Sequence, residues 1–162
     1  VPSIVFYNLH NCAAVHFIEA DNSSYLCSNR KDSAYIYMKN IAETYWKRKK
    51  MPIPHLLLSD YEGRNVWSRK GIVHWRGMNI CMVTDGYWRN KSATNLLDID
   101  YMYLCKGYKG EIAPLQKLFH IKRIVLDASL GDYKSKAYKE ECKTLGLDYI
   151  DISEKGSFRI LL

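Results

Sequence analysis

Arg123-Ile-Val-Leu-Asp127, then Lys134-Ser-Lys-Ala-Tyr-Lys-Glu-Glu-Cys-Lys-Thr-Leu145 closed by Gly146, then Asp148-Tyr-Ile-Asp151, read as strand, helix and strand. Gly146 supplies the stop that a helix end favours, and the short apolar runs on either side suit buried strands. The same alternation extends in both directions. Upstream, a strand at Tyr101 to Cys105 ends at Gly107-Tyr-Lys-Gly110 and a short helix spans Ala113 to Phe119; downstream, a last strand runs from Phe158 to Leu162. Strands alternating with helices are the pattern of βαβαβ units, so the carboxy-terminal half predicts an α/β fold with parallel strand pairs.

The amino-terminal half has a different texture. Ile4 to Asn8, Ala13 to Ala20 and Tyr25 to Cys27 read as strands, with a polar turn around Glu19-Ala-Asp-Asn-Ser-Ser. Asp32 or Ser33 then offers an N-cap to a helix reaching about Lys49, in which Tyr37, Ile41 and Tyr45 recur at helical spacing beside Met38 and Ala42. Its basic end complements the helix dipole, and Pro52 and Pro54 oppose continuation. From His55 to Thr84 short β-like runs, Leu56 to Ser59, Asn65 to Ser68, Ile72 to Trp75 and Asn79 to Thr84, are separated by Glu62-Gly63, Lys70-Gly71 and Arg76-Gly77. Such X-Gly pairs between β-like runs are hairpin signals. Residues 85 to 97 read as a polar loop.

With 162 residues and 48% hydrophobic content, the chain can bury a core and is expected to be a single soluble domain spanning 1-162, excised from a longer chain. No apolar stretch approaches the 18 residues or so that a membrane span needs. Cys12, Cys27, Cys81, Cys105 and Cys142 are widely spaced, with no C-x-x-C pair, and read as buried thiols. Net charge is +7, and residues 30 to 91 hold 13 Lys and Arg against 5 Asp and Glu, so the basic excess sits in the middle of the chain. A local excess of that kind points to an anionic partner, nucleic acid or phospholipid.

The signatures of common enzymes are missing. The five histidines, His10, His16, His55, His74 and His120, form no H-x-H, H-E-x-x-H or H-x-x-E-H spacing, whereas zinc hydrolases gather several ligands within reach of one ion. There is no G-x-S-x-G elbow, no phosphate-cradling P-loop and no dinucleotide-binding glycine motif. Asp85, and Asp127 with Ser129, follow strands at positions where α/β sheets place functional groups, although turn formation accounts for them as well. No catalytic residue, metal, cofactor or small-molecule substrate is expected.

The order of elements from Asp98 to Leu162 resembles the closing half of the metallo-β-lactamase-like domain of the ComEC family of DNA-internalisation competence proteins. The matching segments are Asp100-Tyr-Met-Tyr-Leu-Cys-Lys-Gly-Tyr-Lys-Gly110, Ile124-Val-Leu-Asp-Ala-Ser129, Tyr138 to Leu147, and Lys155-Gly-Ser-Phe-Arg-Ile160. Ile4 to Ile18 is similar to that family's opening strand, turn and second strand, but lacks the turn's glycines and acid. The element from Leu126 to Gly156 is most like ComEC-related proteins of Bacteroidetes-type bacteria. The resemblance implies an incomplete metallo-β-lactamase-like layered sandwich with mixed sheets, in a parent protein of the cell membrane. The histidine-rich first metal loop of the hydrolase relatives has no counterpart. Where their later loop carries paired histidines, this chain has Lys106, Gly107 and Tyr108, a degenerate metal loop. Fold and chemistry need not travel together.

Three functions are then open. The first is a non-catalytic domain of a DNA-uptake protein, contacting single- or double-stranded DNA or the transmembrane and other domains of its own parent chain. All four tryptophans, Trp46, Trp67, Trp75 and Trp88, lie in the basic segment. Cations neutralise phosphates while rings stack on bases, which singles out Lys47, Arg48, Lys49, Lys50, Arg64, Arg69, Lys70 and Arg76 with Trp46 and Trp88. The basic helix end could equally lie against anionic headgroups. The second is a residual metal-dependent hydrolase or nuclease with a site rebuilt from Asp60, His74, Asp85, Asp98 and Asp100, which would have to converge. The third is a scaffold domain that binds only protein.

Overall fold

The backbone of the amino-terminal strands is set by continuous apolar runs, which suit strands covered on both faces. In the computed structural model, which describes residues 1–9, 12–29, 40, 43–44, 46–48, 50–57 and 60–162, β1 (Ser3–Phe6) and β2 (Ala14–Ile18) are buried along their whole length. They pair antiparallel with each other, and β2 pairs with β3 (Ser24–Ser28). The two-residue β4 (His55–Leu56) joins β3 in parallel, and the last strand of the chain, β14 (Phe158–Leu161), pairs antiparallel with β1. The sequence thus supplies a five-stranded sheet in the order β14-β1-β2-β3-β4.

The seven-stranded sheet begins with hairpins. β5 (Tyr61–Glu62), β6 (Val66–Arg69), β7 (Ile72–Trp75) and β8 (Met78–Val83) are antiparallel neighbours. Lys70 and Gly71 have φ of 52° and 85°, and Arg76 and Gly77 have 50° and 74°. Two consecutive left-handed residues between strands make a type I′ turn, whose twist matches that of the hairpin it closes. The X-Gly pairs therefore fold as their chemistry dictates. Beyond β8 the sheet turns parallel, through β10 (Tyr101–Leu104), β12 (Arg123–Leu126) and β13 (Asp148–Asp151). The helix Asp132–Leu145 makes the crossover between β12 and β13 and ends at Gly146, whose φ of 69° is the left-handed cap.

Alternation across the strands produces three apolar layers. Between the sheets lie Ile4, Phe6, Val15 and Phe17 against Trp75, Ile80, Met82, Tyr103 and Val125. The opposite face of the seven-stranded sheet packs Cys81, Met102, Leu104 and Ile124 under Tyr138 and Cys142 of the long helix. The outer face of the five-stranded sheet, with Ala14 and Leu26, is covered by Trp46. The molecule is a layered α/β sandwich with mixed sheets. All five cysteines are free and buried, and burial pushes the thiols up, Cys12 to about 11 and Cys27 to about 12.

Several boundaries differ from the sequence reading. The expected helix Ala113 to Phe119 is a 3-10 helix ending at Lys117, and Phe119 instead opens β11 (Phe119–Ile121). β11 pairs in parallel with β9 (Leu97–Ile99), inside what reads as a polar loop and its margin. The reason is that Phe119, Ile121 and Ile99 are buried while Leu97, Asp98 and His120 are exposed. β5 occupies Tyr61–Glu62, where the sequence suggests a turn, and a short helix, Ile152–Lys155, fills the stretch between the last two strands, to which the sequence reading assigns no element. Of the expected first helix, residues 40, 43–44 and 46–48 are helical; its N-cap at Asp32 or Ser33 and Tyr37, Met38, Ile41, Ala42, Tyr45 and Lys49 lie outside the described residues. Leu58 and Ser59 of the expected run Leu56 to Ser59 also lie outside them.

Candidate functional site

The carboxyl ends of the parallel strands are the first place to look, because carbonyl-rich strand ends and their loops carry function in α/β sheets. Asp127, just past β12, is almost fully buried, and burial raises its carboxyl above the ordinary carboxylate range. It accepts hydrogen bonds from the Tyr103 hydroxyl and from the Ser129 backbone N–H. Ser129 Oγ in turn accepts from the Lys106 N–H at 3.1 Å. These bonds tie the ends of β10 and β12 together, a structural use of an acid the sequence marks as functional. Asp85 likewise closes a turn, accepting from the Tyr87 N–H at 3.0 Å.

The loop after β10, which the sequence reading takes as a degenerate metal loop, is built as packing. Lys106 is exposed, Gly107 sits at φ +109°, and the Tyr108 ring is buried, its hydroxyl donating to Glu111 O at 2.6 Å. The long helix clamps this loop. Glu141 accepts from the N–H groups of Ile112 and Ala113 at 2.7 and 2.8 Å, and the Tyr138 hydroxyl donates to Gly110 O at 2.7 Å. Glu141→Ala leaves two amides without their acceptor and is expected to lower stability by about 1–3 kcal/mol, read by urea denaturation.

The residues proposed for a rebuilt metal site are dispersed. Asp60 and Asp85 line one cleft. His74 instead meets Asn79 Oδ1 at 2.6 Å, Asp98 pairs with His120, and Asp100 pairs with Lys122. Among the described residues no group of three or more His, Cys, Asp or Glu could hold a metal ion. His16 is fully buried between Tyr7 and Ser24, His55 stacks near Tyr61, and His10 lies outside the described residues.

What the fold does bring together is a groove along the hairpin edge of the seven-stranded sheet. A cleft of about 370 Å³ opens at the β6–β7 turn, with Lys70, Asp85, Tyr87 and Trp88 in its wall. A second cavity of about 510 Å³ shares Asp60, Ser68 and Arg69 with it and adds Trp67. On β6 the pattern of burial alternates, so Val66 and Ser68 face inward while Trp67 and Arg69 face out. Trp67 stacks on the cross-strand His74 at 5.4 Å and 19°. Tyr87 is 41% exposed, with Lys70 Nζ 5.3 Å and Lys91 Nζ 4.5 Å from its ring centre. The two adjoining cavities thus carry two accessible rings, with Arg69 and Lys70 in their walls and Lys91 at the Tyr87 ring, while Asp60 accepts from the Lys70 N–H at 3.1 Å.

The basic segment of the sequence is therefore divided among different places. Arg69 and Lys70 lie at the β6–β7 turn, in the groove. Arg64 and Arg76 lie at the opposite end of the hairpins, where Arg76 pairs with Glu19 at 3.5 Å. Lys47, Arg48 and Lys50 are exposed on the other side of the sandwich, beside the helical residues that cover the five-stranded sheet; Lys49 lies outside the described residues. Trp46 is 3% exposed, because its ring fills the layer over Ala14 and Leu26, and so it offers no face for stacking. Trp88 is half-buried, its ring edge-on to Phe119 at 5.1 Å. Trp67, Tyr87 and Lys91, which the sequence reading does not select, stand exposed at the two cavities. The only signal for them is the exposed alternation of β6 and the cluster Tyr87-Trp-Arg-Asn-Lys91.

Fold and groove together define a layered α/β sandwich whose most developed surface is aromatic and cationic. The chain belongs to the ComEC C-terminal domain family, whose model matches residues 4–162. That membership places it in a competence-related protein of DNA uptake, and proteins of this family are membrane proteins. Among the described residues no helix is long and apolar enough to cross a membrane. No curated protein and no solved structure matches the chain.

Proposed function

We propose that this domain is a non-catalytic DNA-contacting module of its membrane protein, on a metallo-β-lactamase-like scaffold that has given up its metal centre. The observation that carries the reading is the groove in which exposed Trp67 and Tyr87 stand among Arg69, Lys70 and Lys91. Cations along a groove neutralise phosphates and release counterions, while accessible rings give unpaired bases a surface to stack on. The loss of catalysis is supported by the loop after β10, where Lys106 is exposed, Gly107 has φ +109° and Tyr108 is buried, none of them a side chain that ligates zinc as histidine does.

The test is fluorescence anisotropy with labelled single- and double-stranded oligonucleotides at low and moderate salt. The variant R69A/K70A/K91A removes three phosphate contacts, so its salt slope should fall by about 3, equivalent to roughly 40-fold in affinity between 50 and 200 mM salt. Trp67→Ala is expected to weaken single-strand binding by about 1–3 kcal/mol, the worth of one stacked base, with little effect on duplex. Absence of salt-dependent binding by the unmodified chain at 50 mM would sink the DNA reading and leave contacts with neighbouring domains of the same protein.

A further inference from the structure

We infer that the corner formed by Lys47, Arg48, Lys50 and Ile53 rests on the anionic surface of a bilayer. Trp46 anchors this corner from below, buried over the five-stranded sheet, so the residues after it are turned outward. Lys47 and Arg48 are exposed, and Lys50, at φ 55°, folds back so that its N–H donates to Lys47 O at 3.1 Å. The Met51 N–H closes the same turn on Trp46 O at 2.9 Å. The three cations are thereby held within one turn of chain. Among the described residues none of them has an ion-pair partner.

Ile53 decides what kind of anion the corner fits. It is 71% exposed between Pro52 and Pro54, three residues from Lys50, hence within about 10 Å of it even along an extended chain. Phosphates of a nucleic acid would use the cations and leave the isoleucine in water. A lipid interface uses both, headgroups meeting the cations and the apolar side chain entering the acyl boundary. A membrane protein supplies that surface next to the domain. The inference needs only the membrane family and stands whether or not the groove binds DNA.

Co-sedimentation of the chain with vesicles tests it, comparing pure phosphatidylcholine with a mixture containing about one-third phosphatidylglycerol. The unmodified chain is expected to partition onto the anionic vesicles alone. K47A/R48A/K50A should lose of order a hundredfold in partitioning, roughly fivefold per cation, and Ile53→Ser several-fold at unchanged charge. These surface substitutions should leave the unfolding midpoint in place, and R69A/K70A/K91A should keep its vesicle binding. If the unmodified chain ignores anionic vesicles, the inference is overturned. It is overturned equally if K47A/R48A/K50A binds them as well as the parent, or if that variant loses oligonucleotide binding while no form of the chain binds lipid, which would make the corner a nucleic-acid contact.

Discussion

Gly107→Ala is expected to cost about 3–5 kcal/mol, enough to unfold much of the population of a domain of ordinary stability. Two effects add. The backbone at position 107 has φ +109°, where a side chain is strained by about 1–3 kcal/mol, and a Cβ placed there would lie 2.0 Å from the carbonyl oxygen of Thr84. That oxygen belongs to backbone just beyond β8, which is hydrogen-bonded to β10 through the Cys105 N–H and Val83 O at 3.1 Å, so it cannot swing aside as a side chain would. Overpacking against fixed backbone adds a comparable amount. Gly77→Ala is the control. Its φ of +74° carries the conformational strain, but an added Cβ meets nothing within 4 Å. Urea denaturation of both variants should show the larger loss at position 107, and equal losses would mean that the β8–β10 junction yields.

How far the sequence carries depends on whether local chemistry decides the outcome. The alternation from Arg123 to Asp151 is legible because each element is long or apolar enough to announce itself, and the parallel pairs β10–β12 and β12–β13 follow from it. Lys70-Gly71 and Arg76-Gly77 are legible because only left-handed residues close a two-residue hairpin of the right twist. The pairing of β9 with β11 is not, since each is three residues long and nothing local to Leu97–Ile99 points to a partner at Phe119–Ile121. Phe119 reads equally well as the end of a helix until the buried neighbours of the sheet claim its ring.

The candidate site shows the same division. Composition correctly locates cations and tryptophans in one stretch of chain, but a stretch of chain is not a surface. The strand β3 and the hairpins β5 to β8 belong to different sheets, and the helical residues around Trp46 cover the far side of the first. One basic segment therefore supplies a groove edge at Arg69 and Lys70, a paired arginine at Arg76, and an outlying corner at Lys47, Arg48 and Lys50. Which tryptophans are buried depends on strand register. Trp75 and Trp67 lie on paired antiparallel strands, yet Trp75 faces the inter-sheet layer and is fully buried while Trp67, paired with His74, faces out. A shift of one residue would exchange their roles.

Stability should fall as the pH drops from about 6.5 to about 4, and His16 should be the largest single cause. The ring is fully buried on β2, with one nitrogen 2.6 Å from the Tyr7 hydroxyl and the other 2.8 Å from Ser24 Oγ. Burial first, and the nearby Arg159 charge second, lower its pKa from 6.5 to about 4. In the unfolded chain the same ring takes up a proton near 6.5. Between the two values the unfolded state binds more protons than the folded one, so protonation draws the equilibrium toward unfolding. The contribution is intact above pH 6.5, declines at up to about 1.4 kcal/mol per pH unit, and amounts to about 3 kcal/mol by pH 4. His16→Gln keeps a polar side chain able to donate and accept but does not titrate. It should be less stable than the parent at pH 7, where the native hydrogen bonds are lost or lengthened, and its stability should depend less steeply on pH from 6.5 down to 4. Urea unfolding of both proteins at half-unit pH steps gives the comparison. Parallel curves would show that His16 is protonated in the fold and that its neighbours hold the charge. Converging curves, meeting as the parent loses what the variant never had, would establish the buried ring as the acid-labile point of the five-stranded sheet.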